Sequence, residues 1–128
     1  MIKTKLCDML GVEYPIIQGG MAWIADAGLA AAVSEAGGVG LIAGGDAPVE
    51  IIRDEIKKAR QLTNKPFGVN IMLMSTNADG LARLVIDEKV PLVVTGAGSP
   101  AKYVQMWKAA GITVIPVVAS SAMAIRAR

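Results

Sequence analysis

A parallel α/β fold is what this 128-residue sequence predicts, and three observations carry that reading. Short apolar runs alternate with helical patterns at near-regular spacing, their first residues standing at 16, 39, 67, 92 and 113. The chain is 53% hydrophobic but only 4% aromatic, so its apolar mass is aliphatic, as strands buried on both faces require. Glycine-rich or small-residue segments follow most of the runs, where strand-to-helix turns belong. Alternation of this kind implies right-handed crossovers and a parallel sheet.

Taken in order, Ile16–Gln18 is the first predicted strand. Ala25–Ala36 reads as an Ala-rich helix with Asp26 as N-cap and Gly37-Gly38 closing it. The second strand is Val39–Ile42. Pro48–Leu62 begins with proline in a first turn and aligns Ile51, Ile52, Ile56 and Ala59 on one stripe. Phe67–Met72 is the third strand, followed by a helix over Asn77–Glu88 with Asn77 as cap and Leu81, Leu84 and Val85 inward. Leu92–Thr95 is the fourth, followed by Pro100–Ala110, capped by Ser99 and closed at Gly111. Thr113–Val118 is the fifth. The final segment, Ser120–Arg128, supplies only about two turns of helix at 3.6 residues each.

Two architectures compete for this pattern. A flavodoxin-like sheet has five strands but wants a full fifth helix. A (β/α)8 barrel of the TIM type has about 250 residues, so this chain matches roughly its first half. The half barrel is favoured: one domain over residues 1–128, about five parallel strands with four complete helices, the C-terminal half absent. The expectation is therefore an incomplete chain, whether a fragment, a truncated product or a designed half barrel.

Composition excludes several functions. Net charge is +2 with the signs interspersed, so there is no basic footprint for nucleic acid. No apolar stretch reaches about 18 residues and no signal peptide opens the chain, which argues against a membrane. The single cysteine, Cys7, agrees with a reducing cytoplasm and reads as an inert thiol. Histidine is missing altogether, which removes the commonest general acid–base and transition-metal ligand. Asp26, Asp46, Asp79 and Asp87 are scattered at helix starts or on helices, where capping and solvation explain them, so no metal site is expected. There is no Walker loop, and Gly96-Ala97-Gly98 lacks the third glycine of a dinucleotide fingerprint.

In either architecture ligands meet the loops at the carboxyl ends of the strands. Those loops read Gln18-Gly19-Gly20-Met21-Ala22-Trp23, Ala43-Gly44-Gly45-Asp46, Asn70 with Ile71-Met72-Leu73-Met74-Ser75, Thr95-Gly96-Ala97-Gly98-Ser99 and Pro116-Val117-Val118-Ala119-Ser120. Glycine pairs let the backbone approach a flat ligand closely, and exposed N–H groups can donate to ring carbonyls and nitrogens. Tight turns alone explain one such pair. Three glycine loops on one rim, beside an Asn70 amide that can donate and accept, point to a bound flat cofactor. Met72 and Met74 read as core more readily than pocket; Met21 and Trp23 divide evenly between the two. Trp107 reads as packing, and Lys57, Lys58 and Lys102 as solvated helix faces.

The segments YPIIQGGMAW (14–23), LAAAVSEAGGVGLIAGG (29–45), KPFGVNIMLMS (65–75), TGAGSPAKY (95–103) and GITVIPVVAS (111–120) closely resemble the FMN-dependent enoyl-acyl-carrier-protein reductases of bacterial fatty-acid synthesis. These share a barrel superfamily with the nitronate monooxygenases, formerly 2-nitropropane dioxygenases. The resemblance runs in order from Ile2 to Arg128. It implies a (β/α)8 barrel with FMN at the carboxyl end of its strands. By matching motif, Gly20, Met21 and Ala22 would lie against the flavin ring, Gly44 and Gly45 would line the neighbouring loop, and Asn70 would hydrogen-bond the isoalloxazine. Thr95, Gly96 and Val118 are further candidates at later strand ends.

The same resemblance implies a cytoplasmic oxidoreductase that passes electrons from NADH or NADPH through FMN to a trans-2-enoyl thioester, free or bound to acyl carrier protein. The family's phosphate-holding loops follow strands seven and eight, and its active-site histidine lies beyond Arg128, so no catalytic residue is assigned in this chain. The alternatives are a nitronate monooxygenase oxidising nitronates with O2, and a catalytically silent half-barrel or flavodoxin-like module. Open sheet edges would make a homodimer plausible.

Overall fold

The structure, a computed structural model, describes residues 2–128. In chain order the elements are α1 (Lys5–Leu10), α2 (Ala27–Glu35), β1 (Gly40–Ala43), α3 (Val49–Leu62), β2 (Phe67–Met72), α4 (Ala78–Asp87), β3 (Leu92–Gly96), α5 (Ala101–Ala109), β4 (Thr113–Pro116) and α6 (Ser121–Arg126). The sheet is parallel throughout and its strand order, β1-β2-β3-β4, follows the chain. Among the described residues no helix is long and apolar enough to cross a membrane.

The strand expected at Ile16–Gln18 is reduced to a single parallel bridge, Ile17 to Val39. The reason lies in Gln18. The backbone ladder is present for one step, with Val39 N–H donating to Ile16 O (2.9 Å) and Gln18 N–H to Val39 O (3.0 Å). The next step is made by a side chain: Gln18 Nε2 donates to Leu41 O (3.2 Å), and Leu41 N–H donates to Gln18 Oε1 (3.1 Å). A primary amide carries the same donor and acceptor as a peptide group, so it replaces the ladder while the glycine backbone turns away.

The four predicted helices are α2 to α5. Asp26 caps α2 as expected, its Oδ1 accepting from Leu29 N–H at 2.9 Å. Glu55 of α3 adds a second acceptor, Oε2 to Ala27 N–H at 2.7 Å. The helix lies so close to β1 that a Cβ on Gly40 would stand 2.0 Å from Ala30 O. On α3 the buried stripe is Ile52, Ile56 and Ala59, whereas Ile51, one position off that period, stays half exposed. Asn77 does not cap its own helix; its Nδ2 donates to Asp46 O (3.1 Å) and Ala47 O (3.0 Å), tying the β1–α3 loop to α4. Ser99 does not cap α5 either: its Oγ accepts from Ala101 N–H at 3.3 Å, but the N-cap position is held by Pro100. On α5, Trp107 is fully buried and its Nε1–H donates to Ala82 O at 3.0 Å.

Strand alternation divides the apolar residues between two cores. Phe67, Val69, Ile71 and Val93 face the helices and pack with Ile52, Ile56, Leu81, Val85 and Trp107. Leu41, Leu92 and Val94 face the other way, into what would be a barrel lumen. There α1, unforeseen in the sequence, lays Leu10 and Leu6 against them and closes the amino-terminal end. Its end is set by Gly11, which adopts a left-handed conformation (φ 66°). Cys7 on this helix is buried, as expected for an inert thiol.

Candidate functional site

At the carboxyl ends of β1, β2 and β3, on the lumen side, small residues leave a cleft of about 220 Å3. Gly20 and Ala22 come from the loop after the bridge strand, Ala43 and Gly45 from the end of β1, Asn70 and Met72 from β2, and Gly96 and Ala97 from β3. Register explains the convergence. Asn70 pairs with Ala43 on one side and Val94 on the other, so its side chain shares the lumen face with Ala43 and, two residues on, with Met72. Gly44 N–H donates to Asn70 O at 2.8 Å and holds that backbone in place.

The glycines differ in what they permit. A Cβ on Gly20 would lie 2.7 Å from Asn70 Cβ, so glycine lets the 18–22 loop press against the asparagine. A Cβ on Gly96 would meet nothing within 4 Å, so here the missing side chain is open space in the cleft wall. Among the described residues three that are not glycine have positive φ, and two of them, Trp23 (φ 66°) and Ala97 (φ 54°), sit in loops around this rim. Left-handed backbone in such residues costs of order 1 kcal/mol and clusters at functional sites.

Of the residues expected at the site, the structure brings Gly20, Ala22, Gly45, Asn70 and Gly96 together. The others stand elsewhere. Gly44 faces α4, where a Cβ would meet Leu81 Cδ1 at 2.9 Å. Thr95 follows Val93 onto the helix side, fully buried, and its Oγ1 has no hydrogen-bond partner among the described residues. Adjacent strand residues point to opposite faces, so Thr95 and Gly96 cannot share one cleft. Met21 is partly exposed and its carbonyl accepts from Ile24 N–H (3.0 Å) and Ala25 N–H (2.8 Å), closing a turn. Val118 lies half-buried past the end of β4. Met74, expected in the core, is 80% exposed because β2 ends at Met72 and the chain turns, with Ser75 N–H donating to Met72 O at 3.0 Å. Ala43, Met72 and Ala97 were missed as lining residues; counting alternate positions from Leu41 and Asn70 finds the first two.

No ionisable side chain lines this cleft, so its surface is neutral, with one amide as its polar side chain. A cluster of hydrogen-bonded charge lies on α4 and α5. Asp79, on α4, accepts from Lys102 Nζ at 2.7 Å and from the Tyr103 hydroxyl, both on α5. The Lys102 bond, then the Tyr103 bond, hold the Asp79 carboxyl below its ordinary range, and the Asp79 bond raises the Tyr103 hydroxyl. Lys102 is thus paired rather than simply solvated. No group of three or more His, Cys, Asp or Glu that could hold a metal ion occurs among the described residues.

A family model described as nitronate monooxygenase matches residues 3–83. The solved structure of FabK from Thermotoga maritima is 50% identical, with a TM-score of 0.95 over 99% of this chain and 42% of that one. A (3aS,4S,5R,7aS)-5-hydroxy-7a-methyl-1-oxo-octahydro-1H-indene-4-carboxyl-CoA dehydrogenase from Rhodococcus jostii is 33% identical over 120 residues, which is 94% of this chain and 34% of the relative. A probable nitronate monooxygenase from Staphylococcus aureus is 47% identical over 73 residues, 57% of this chain and 21% of that protein. The chain therefore spans about a third or less of these curated relatives. Its fold is part of a TIM-type barrel, which removes the flavodoxin-like alternative.

Proposed function

This chain belongs to the nitronate monooxygenase family of flavin-dependent oxidoreductases, and from that premise we propose that its cleft seats the isoalloxazine of FMN for reduction of a trans-2-enoyl thioester. The observation that carries the proposal is the cleft itself: small residues from three consecutive strand ends around one amide, with no charged side chain to desolvate. That donor set suits a flat ring with polar edges. When bound, FMN supplies two-electron chemistry between a nicotinamide and the carbon–carbon double bond of the substrate.

The chain's own residues bind and orient. Gly20, Gly45 and Gly96 let backbone come within contact of a planar face, and Met72 gives that face an apolar wall. Asn70, held by the Gly44 N–H at its carbonyl, turns its amide to the ring edge, where it can donate and accept. None of the lining side chains can deliver a proton as an acid, so the proton for Cα enters from outside this set.

A thioester substrate is favoured because the FabK and carboxyl-CoA dehydrogenase matches extend over 99% and 94% of the chain. The second reading, oxidation of nitronates with O2, is supported by the family model and the S. aureus relative, whose match covers 57%. NAD(P)H as reductant and a cytoplasmic setting belong to the first reading. Flavin fluorescence during FMN titration tests the cleft: the chain should quench it saturably, and Asn70→Ala should weaken binding at least tenfold, about 1.4 kcal/mol. An unchanged affinity would remove Asn70 from the site. NADH consumption on adding crotonyl-CoA supports the reductase; O2 uptake with propane-2-nitronate, without NADH, selects the second reading.

A further inference from the structure

Behind the cleft lies a second cavity of about 150 Å3, between the start of α2, the end of β1 and α3. Ala22, Ala43 and Gly45 line both spaces, so the two adjoin across a wall of very small residues. Its floor is apolar and buried: Ala25, Ile42 and Ile52. Its mouth carries two exposed apolar side chains, Trp23 at 89% and Ile51 at 51% exposure. An indole left in water on a backbone held left-handed by two hydrogen bonds to Met21 O is costly twice over.

We propose that this cavity receives the hydrocarbon tail of the acyl group, the four to six or so carbons beyond the reacting double bond. The inference rests on the thioester reading above and names the part of the substrate that leaves the flavin cleft. Size sets the length, since an apolar cavity of about 150 Å3 holds a six-carbon ring. Charge sets the class. Asp26 and Glu55 line the cavity, but their carboxylates are engaged with the N–H groups of Leu29 and Ala27, and Glu55 also pairs with Lys58 at 2.9 Å. They cap a helix and leave no cation site. Asp46, the other lining carboxylate, disfavours a ligand that ends in an anion. The buried floor of Ala25, Ile42 and Ile52 favours a neutral alkyl end. Gly45, at a left-handed φ of 48°, and Ala22 keep the boundary between the two spaces thin, with Ala22 Cβ 3.8 Å from where a Gly45 Cβ would stand.

Trp23 reports on this site directly, since Trp107, the other tryptophan, is fully buried. The chain is titrated with trans-2-butenoyl-, trans-2-hexenoyl- and trans-2-octenoyl-CoA while tryptophan emission is followed, and separately with FMN. The expected result is a blue shift that saturates, with affinity rising at least tenfold from the four-carbon to the eight-carbon chain. W23F should abolish the shift. I51E, at a half-exposed position and checked for folding by circular dichroism, should abolish the gain with chain length. Affinity that does not depend on chain length, a gain that survives I51E, or Trp23 emission that octenoyl-CoA leaves unchanged overturns the proposal. FMN binding without a chain-length gain sinks the tail site alone. A chain-length gain without FMN binding supports the tail site and sinks the flavin reading.

Discussion

The helix-facing and lumen-facing sides of the sheet are made by the same four strands, yet they are built to opposite ends. On the helix side Val69, Ile71 and Val93 are fully buried, and Trp107 locks α5 to α4 through Ala82. On the lumen side the apolar layer of Leu41, Leu92 and Val94 is closed only at the amino-terminal end, by α1. Towards the carboxyl end that side shrinks to Ala43, Asn70 and Gly96. One face maximises contact; the other ends in small side chains around an open cleft. Neighbours in sequence can therefore do unrelated jobs, as Thr95 and Gly96 do.

Four substitutions would break or sharpen that contrast. The largest effect is expected from Trp107→Ala, which leaves a cavity in the helix-side core and removes the indole bond to Ala82 O. It should cost about 3–5 kcal/mol in urea denaturation, a large share of the stability typical of a domain. If it instead weakened flavin affinity with little loss of stability, the two faces would not be independent. Gly96→Val acts on the other face. Its Cβ enters space where nothing lies within 4 Å, so stability should move by less than about 0.5 kcal/mol while FMN affinity falls at least tenfold. Thr95→Val, next door, should do the reverse: removing an unpartnered buried hydroxyl should stabilise by about 1 kcal/mol and leave flavin titrations unchanged.

The smallest effect concerns pH. The Asp79 carboxyl is held low in the folded chain, chiefly by Lys102 and then by Tyr103. A depressed folded value contributes stability that is present above the unfolded pKa of about 4 and is lost as pH falls through the folded value. Asp79 is exposed at the surface, so solvent screens the contribution. Asp79→Asn should lower the urea midpoint slightly at neutral pH, and the gap from the wild type should close in acid. A gap that widened in acid would reverse the sign of this linkage.

Much of the helix-side architecture was legible in the sequence, because its signals are local. Periodic stripes mark α3 and α4, Pro100 and Gly111 bracket α5, Asp26 marks the start of α2, and aliphatic runs mark β1 to β4. What was not legible depended on contacts between distant segments. Gln18 ends the sheet with its side chain only because Leu41 is opposite, and Asn77 bonds the β1–α3 loop rather than its own helix. The short α1 has six residues, so its apolar side is one short Leu6 and Leu10 pair, and its plain signal was Gly11. The site was half legible for a similar reason. Glycine-rich composition located the rim, but assigning its members to a face required the register, which moved Gly44 and Thr95 out and brought Ala43 and Met72 in.

Because strand order follows chain order, every ladder in the sheet joins a strand to the next one made. Gly40 meets Phe67, Gly68 meets Leu92, and Leu92 meets Thr113, so each pairing closes a loop of a single intervening helix. Loop-closure entropy of that kind grows only slowly with length, and the three pairings, β1 to β2, β2 to β3 and β3 to β4, are all local in the chain. The sheet can therefore grow in the direction of synthesis, each βα unit docking on the one before it as the chain leaves the ribosome. On such a route the helix-side core is completed one unit at a time, and Asn70 and Gly96 come together only when β3 joins.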